Sequence, residues 1–458
     1  MREGCLVGID VGSTRVKALV VDLDGRELSH GHDETPWRIT SSGAEAAPED
    51  IFEAALAATR SALGGMGDRR VVGVGVTGMA EALTLLDGRG WAVAPAVAWY
   101  DGRGEQERQE LERQFGADRF TALTGLPVST TASLVKLRWI LRHVPGATAA
   151  RCALSIPEYV AHRLGGVRAA EWSLASRTGL FDVGRARWAA ELLAWAELPE
   201  GLFPEALPAG SLLGTVVEPP AGLVPLGGAA IALGGQDHQC AAVGAGVISP
   251  REVLNSCGTA EAYVRSVAPL GPAELVAAVA TGVGVGCHVV PGYQAILAGR
   301  PFGLVLGPVY DLLGRDGPPG TPLAGEAAGG APARRPGAEL SFSFDEATGR
   351  SRFAGIGPGV SATEAKQVAA DEVLRRSFNM YAAVERLGDP VERVVITGGW
   401  ARVAGLDRRK AARFPGACFA AVREPGARGA ALSAGIAAGL FSGPGAFPAP
   451  PLDPQAGA

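Results

Sequence analysis

The segment VGIDVGSTRVKALV, from Val7 to Val20, reads as a strand, a glycine-bearing turn and a second strand. The segment VLNSCGTAEAYV, from Val253 to Val264, echoes it, with Gly258-Thr259 interrupting two strand-like runs. This internal echo constrains the fold more than any other feature, because it marks two units and puts the boundary between them near Val247–Arg251. Length agrees: 458 residues exceed the roughly 250–300 that one hydrophobic core supports. The expected division is 1–247, 248–442 and a disordered tail over 443–458.

Between the echoes, strand and helix signals alternate, which is an α/β pattern. Asp24-Gly25 predicts a hairpin turn, Ala47–Leu63 a helix with Pro48 near its start, VVGVGVTG a buried strand, and ALTLLDGRGW a second hairpin turning at Asp87-Gly88. Further helices are expected around Gly104–Phe115, Ser133–His143, Ile156–Leu164 and Ala186–Leu198. Beyond the boundary, Arg315–Ala338 is dense in Gly, Pro and Ala and reads as a mobile surface loop. A helix over Ala362–Leu387 leads into the strand VERVVITGG, and an Ala/Gly-rich helix spans Gly429–Phe441.

Composition excludes several classes. Lys+Arg of 42 against Asp+Glu of 47 gives a net charge of -5, which offers no general attraction to nucleic acid or anionic lipid. Any phosphate must be held locally. Leu275–Gly299 lacks charged residues over a membrane-spanning length, but Gly282, Gly284, Gly286, Pro291 and Gly292 interrupt it, so buried strand and turn are expected instead of a span. The 6 cysteines form no CxxC pair and no zinc-spaced set, and the first apolar run is too short for an export signal; a cytoplasmic setting is expected.

Three constellations carry chemistry. In the run Asp10, Gly12, Ser13, Thr14 and Lys17, a strand-end carboxylate, a glycine, two hydroxyls and a cation suit Mg²⁺, held by Asp10 through water, and a nucleotide phosphate tail; a ligand-free hairpin turn is the alternative. In Gly234-Gly235-Gln236-Asp237-His238, a carboxylate sits in strongly apolar sequence, where an unpaired acid is costly. Its suited task is general base for a hydroxyl attacking a γ-phosphate; the alternative is a cap for a helix starting near Gln239. In Thr397-Gly398-Gly399-Trp400, glycines after a strand let a flat base lie close to the backbone, as an adenine site requires; a plain strand-to-helix connection is the alternative.

Taken in order, these elements resemble the FGGY family of carbohydrate kinases. The likeness rests on the Asp10–Lys17 loop, the Trp-x-Asp-x-Arg element at Trp99, Asp101 and Arg103, the Asp237 block, the Gly258-Thr259 loop, the Gly398-Gly399 turn and the closing Glu424…Gly429-Ala430-Ala431 segment. The resemblance implies an α/β fold of two actin-like (ribonuclease-H-like) domains with an active-site cleft between them, and ATP-dependent phosphorylation of a small polyhydroxy compound. It further implies Asp237 as base, Asp10 at Mg²⁺, and Gly12, Ser13, Thr14, Lys17, Gly258, Thr259, Gly398, Gly399 and Trp400 at ATP. Met79, Ala80, Glu81, Trp99, Asp101 and His238 would meet the substrate, Glu81 with an exposed loop carboxylate as its alternative. Met79-Ala80-Glu81 matches neither the Met-His pair of xylulokinases nor the Arg-Glu pair of glycerol kinases, so the substrate stays open. Arg300–Gly355 lacks the family's usual Gly-Glu-Arg segment. A weakened sugar- or nucleotide-sensing homologue and an actin- or heat-shock-like ATPase switch remain alternatives, as does a homodimer.

Overall fold

The computed structural model describes residues 4–41, 43–67, 69–199, 201–314, 340–345, 350–403 and 405–452. The strand Gly4–Val11 is buried at every position and reads as a continuous apolar run, the signature of a strand covered on both faces. It pairs antiparallel with Arg15–Asp22, which pairs with Glu27–Glu34, and parallel on its other edge with Arg70–Gly78. Ala230–Gln236 lies parallel beyond that strand, and the short Gly214–Thr215 closes a six-stranded sheet.

The second sheet repeats this plan. Glu252–Cys257 takes the place of the first strand, flanked by antiparallel Ala260–Val267 and Gln294–Pro301 on one side and by parallel Arg393–Thr397 and Cys418–Phe419 on the other. Gly284–Cys287 extends the antiparallel edge. In each sheet a long helix precedes the parallel strand next to the first one: Pro48–Leu63 before Arg70–Gly78, and Ala362–Glu385 before Arg393–Thr397. Pro48 opens the former with Glu49 and Asp50 in its first turn and Arg60 in its last, a sequence arranged along the helix dipole. A helix also follows the outer parallel strand of each sheet, Asp237–Gly244 after Ala230–Gln236 and Pro425–Ala437 after Cys418–Phe419, and these two pack together.

That packing depends on glycine. A Cβ added to Gly8 would fall 1.8 Å from the Ala427 carbonyl oxygen, and one on Gly75 would fall 1.9 Å from that of Ala430. Between the helices, Gly244 approaches Pro425, and Gly429 approaches Cys240, equally closely. The Arg428 guanidinium is buried at the same junction, donating to the carbonyls of Gly25 (3.1 Å), Gly244 (2.7 Å) and Pro448 (2.9 Å).

Several expectations are corrected. The tail is ordered through Leu452, because Pro448 accepts from Arg428, Ala421 donates to Pro451 and Leu452 bridges Ala420; residues 453–458 lie outside the described set. Leu83–Leu86 turns back at Asp87, but its regular pairing is with Cys152–Ser155, a partner distant in sequence. Leu275 lies in a helix, Pro272–Ala280, and not in a strand. The helix expected over Ala186–Leu198 is confined to Ala190–Trp195, since Arg187–Trp188 pairs with Phe181–Asp182. The last long helix begins at Pro425, ahead of Gly429. The loop expected at Arg315–Ala338 lies outside the described residues. No described helix is long and apolar enough to cross a membrane. Before the expected boundary, Ala175, Phe181 and Val183 belong to the second hydrophobic core, packed with Val285, Cys287 and Ile296.

Candidate functional site

Three parallel strand ends bring the first chemistry together. Asp10 and Gly235 both register with Thr77 on Arg70–Gly78, so Asp10 and Asp237 issue on either side of the residues that follow it, Met79, Ala80 and Glu81. Ligands of open α/β sheets bind at such carboxyl ends. Asp10 Oδ1 is buried with no hydrogen-bond partner among the described residues, and burial raises the carboxyl to about 6. Lys17 opposes that shift, Asp237 and Glu424 add to it, and His238 opposes it, so these five charged or titratable groups share one environment. Lys17 pairs with Glu424 at 2.9 Å. Burial works against the Lys17 ammonium, but Asp10 and Glu424 outweigh it and hold its pKa above the ordinary lysine value.

Asp237 is the first residue of its helix, yet it is not the cap. Gln236 takes that place, its side chain accepting from the Gln239 N–H at 3.1 Å. Asp237 Oδ1 accepts from the His238 N–H at 2.7 Å and from the Gln236 side-chain amide; no described residue bonds to Oδ2. The backbone beneath is held firmly. Thr77 Oγ1 donates to the Gly235 carbonyl at 2.5 Å, the Gln236 N–H donates to Ser173 Oγ at 2.9 Å, and Ser173 donates to Glu171 at 2.5 Å.

The turn Gly12-Ser13-Thr14 is fixed through its carbonyls, which accept from Thr35 Oγ1, Trp37 Nε1 and the Thr35 N–H respectively. Gly258, Thr259, Gly398, Gly399 and Trp400 form a second grouping. Leu304 N–H donates to the Thr259 carbonyl at 2.9 Å, and Gly398, at φ +94°, sits so close to Cys257 that a Cβ would fall 2.2 Å from its carbonyl oxygen. Trp400 stands edge-on to Tyr310 and over Gly303, while a Cβ on Gly399 would meet nothing within 4 Å. Beneath this hairpin lies a fully buried network that the sequence did not reveal: Lys410 Nζ donates to Asn255 at 2.7 Å and pairs with Glu261.

Among the expected substrate residues, Met79 and Ala80 are buried, and the Met79 N–H bonds the Val11 carbonyl. Glu81 is not an exposed loop carboxylate: Arg177 Nε donates to it at 2.9 Å, and Ser133 Oγ donates to its carbonyl at 3.0 Å. Trp99 is partly exposed beside Tyr100, and its carbonyl accepts from Lys136 Nζ at 2.6 Å. Burial lowers Lys136 to about 8 against the opposing charges of Glu81 and Asp101. Asp101, expected at the substrate, is held from within the chain. Both its oxygens are engaged, by Arg103 and by the Ala44 N–H at 2.6 Å, so it anchors the loop that carries Trp99. Arg177, Lys136 and Ser173 carry no signal in the sequence, because Arg177 meets Glu81, Lys136 meets Trp99 and Ser173 meets Gln236 across long stretches of chain; Glu424 stands in the closing motif, but its pairing with Lys17 does not show there.

A sequence profile described as "FGGY family of carbohydrate kinases, N-terminal domain" matches residues 5–244. The chain belongs to the FGGY family of carbohydrate kinases. This FGGY chain is 32% identical to a glycerol kinase of Chloroflexus aggregans over 265 residues, 55% of this chain and 52% of that one. It is 32% identical to a xylulose kinase of Streptomyces rubiginosus over 284 residues, 61% and 57% of the two chains. It thus spans about half the length of the curated relatives it matches. Its fold is similar to a xylulose kinase from Rhodospirillum rubrum (TM-score 0.80, 24% identity, 98% of this chain and 93% of that one). A Plasmodium falciparum glycerol kinase solved with ADP aligns equally well (TM-score 0.80, 15% identity, the same coverages). At these identities the structural likeness concerns fold alone, and the fold is that of two actin-like, ribonuclease-H-like α/β domains.

Proposed function

We propose that this FGGY chain phosphorylates a hydroxyl of a small sugar, ketose or polyol at the expense of ATP, with Asp237 as general base. The observation that carries this reading is that Gln236 caps the helix, which frees the Asp237 carboxylate from a capping role while its Oδ1 is held by His238 and Gln236. Oδ2 is then the oxygen that takes the proton from the attacking hydroxyl. The residues present fit a bound Mg·ATP: the orphaned Oδ1 of Asp10 suits a hydrated cation, Lys17 suits a phosphate oxygen, and the open face of Gly399 suits a flat base. Mg·ATP, when bound, supplies the phosphoryl group and counter-charge for its oxygens. Gly12, Ser13, Thr14, Gly258 and Thr259 would line the phosphates, Gly398 and Trp400 the base.

On the substrate side, Glu81 accepts from hydroxyls, Trp99 offers an apolar face, and His238 stands beside the base. We further propose units of 1–247 and 248–442, with the substrate held between them, and a reduced cytoplasmic setting consistent with six free cysteines. The test is Asp237→Asn in the full chain, with ATP consumption measured over glycerol, D-xylulose, ribitol and gluconate and nucleotide affinity measured separately. Turnover should fall by about 10²–10⁴-fold while nucleotide still binds. Near-normal turnover would overturn the base assignment. Lack of stimulation by every compound would favour a nucleotide-driven switch.

A further inference from the structure

We propose that Arg177 determines which polyhydroxy compounds the site accepts, by holding the Glu81 carboxylate in one orientation and tying that orientation to the second sheet. This rests on the reading of Glu81 as an acceptor of substrate hydroxyl bonds. Arg177 Nε donates to Glu81 Oε1 at 2.9 Å, with the two side chains only 16% and 12% exposed. Residue 81 is therefore fixed twice, at its carbonyl by Ser133 and at its carboxylate by Arg177. With one oxygen committed to the guanidinium, the rest of the carboxylate can accept from substrate only along the direction that Arg177 leaves.

The guanidinium also lies against the strand Gly284–Cys287 of the second sheet. A Cβ on Gly284 would fall 2.9 Å from Arg177 Nη1, and one on Gly286 would fall 2.6 Å from Ser176 Oγ. Residues two apart on a strand share a face, so these two glycines make one shallow seat for Ser176 and Arg177. The Cys287 N–H donates to Ser176 Oγ at 3.2 Å, which keys the segment to that seat. Ala175 and Phe181, on either side, are buried in the second core. Glu81, by contrast, directly continues the region after the first-sheet strand Arg70–Gly78. The Arg177–Glu81 pair is thus a link between the substrate position and the placement of the second sheet. Arg177 acts through Glu81 and is a positioning residue.

The experiment is steady-state kinetics of the full chain with Mg·ATP and glycerol, D-xylulose, ribitol and gluconate, for Arg177→Ala, Arg177→Lys, Glu81→Ala, the Arg177→Ala/Glu81→Ala double variant and Gly284→Ala. For the best-used compound, Arg177→Ala should raise KM about tenfold or more, the scale of a lost charge-assisted bond, with kcat and the KM for ATP nearly unchanged. Discrimination among the four compounds should narrow. Arg177→Lys, which keeps the charge but not the fork, should recover part of the loss. The double variant should be no worse than Glu81→Ala alone, because both substitutions remove one unit. Gly284→Ala, which crowds the guanidinium from the far side, should shift KM in the same direction, and hydrogen exchange at Gly284–Cys287 should quicken in Arg177→Ala. If Glu81→Ala alters KM while Arg177→Ala and Gly284→Ala do not, the inference falls and the role of Glu81 stands. If Glu81→Ala changes neither KM nor preference, or if no compound is phosphorylated, the underlying reading falls and takes the inference with it.

Discussion

Arg428 shows how a single side chain can carry a requirement that its own neighbourhood does not announce. It is buried, burial holds its pKa below the ordinary arginine value, and its donors end on three carbonyls from distant parts of the chain. Arg428→Ala would leave those carbonyls facing a void; a stability loss of about 2–4 kcal/mol is expected, read as a lower midpoint in urea unfolding. Arg428→Lys, with one point charge in place of a fork, should recover only part of it. The same distance in sequence decides what could be foreseen at the site. Asp237 was legible because flanking glycines and apolar residues make a carboxylate conspicuous where it stands. Arg177 was not, and Glu424 was legible only as part of the closing motif, because what gives each a role is a partner, Glu81 or Lys17, that only folding supplies. Asp101 was legible as part of a pattern but not as an anchor, since the Ala44 amide that occupies it lies in another element.

At the scale of elements, the helix Pro425–Ala437 sits on the first sheet so closely that glycine is the residue the contact admits. Gly75→Ala would drive a methyl group into the Ala430 carbonyl, backbone that cannot turn aside. We expect destabilisation of about 1–3 kcal/mol or a failure to fold, measured by thermal and urea unfolding. Gly399→Ala makes the contrasting case: its Cβ would enter open space, so stability should be unchanged while nucleotide affinity falls, measurable by calorimetric titration. Elements whose signals are local were readable in advance, such as Pro48–Leu63 with its proline start and charge order, and the hairpin turning at Asp24-Gly25. Leu83–Leu86 was readable as a strand, but its main partner Cys152–Ser155 was not, because nothing near it in sequence encodes a pairing with so distant a strand.

For the whole molecule, stability should depend on pH through acids buried behind the strand ends. Burial raises Glu158 and Glu171 to about 7, well above the ordinary glutamate value; Glu158 accepts from the Glu171 and Ser155 N–H groups, which oppose the shift without cancelling it. A carboxyl with a raised folded pKa binds its proton more tightly in the native state than in the unfolded chain. These two groups therefore favour folding most below about pH 4.5, and their contribution declines as pH rises through about 7. Glu158→Gln should flatten that part of the profile, as read from urea midpoints at pH 5, 6 and 7 against the parent chain. The repeated sheet plan was foreshadowed by the two hairpins, yet the repeat did not disclose that Ala175, Phe181 and Val183 leave the first unit to complete the second core. That exchange has a consequence for how the chain is made. On the ribosome these apolar residues emerge well before Val285 and Ile296, and they stay uncovered until the later segment is synthesised. A chain severed near the proposed boundary at Val247–Arg251 should therefore yield two sticky fragments that regain solubility only when they are produced together.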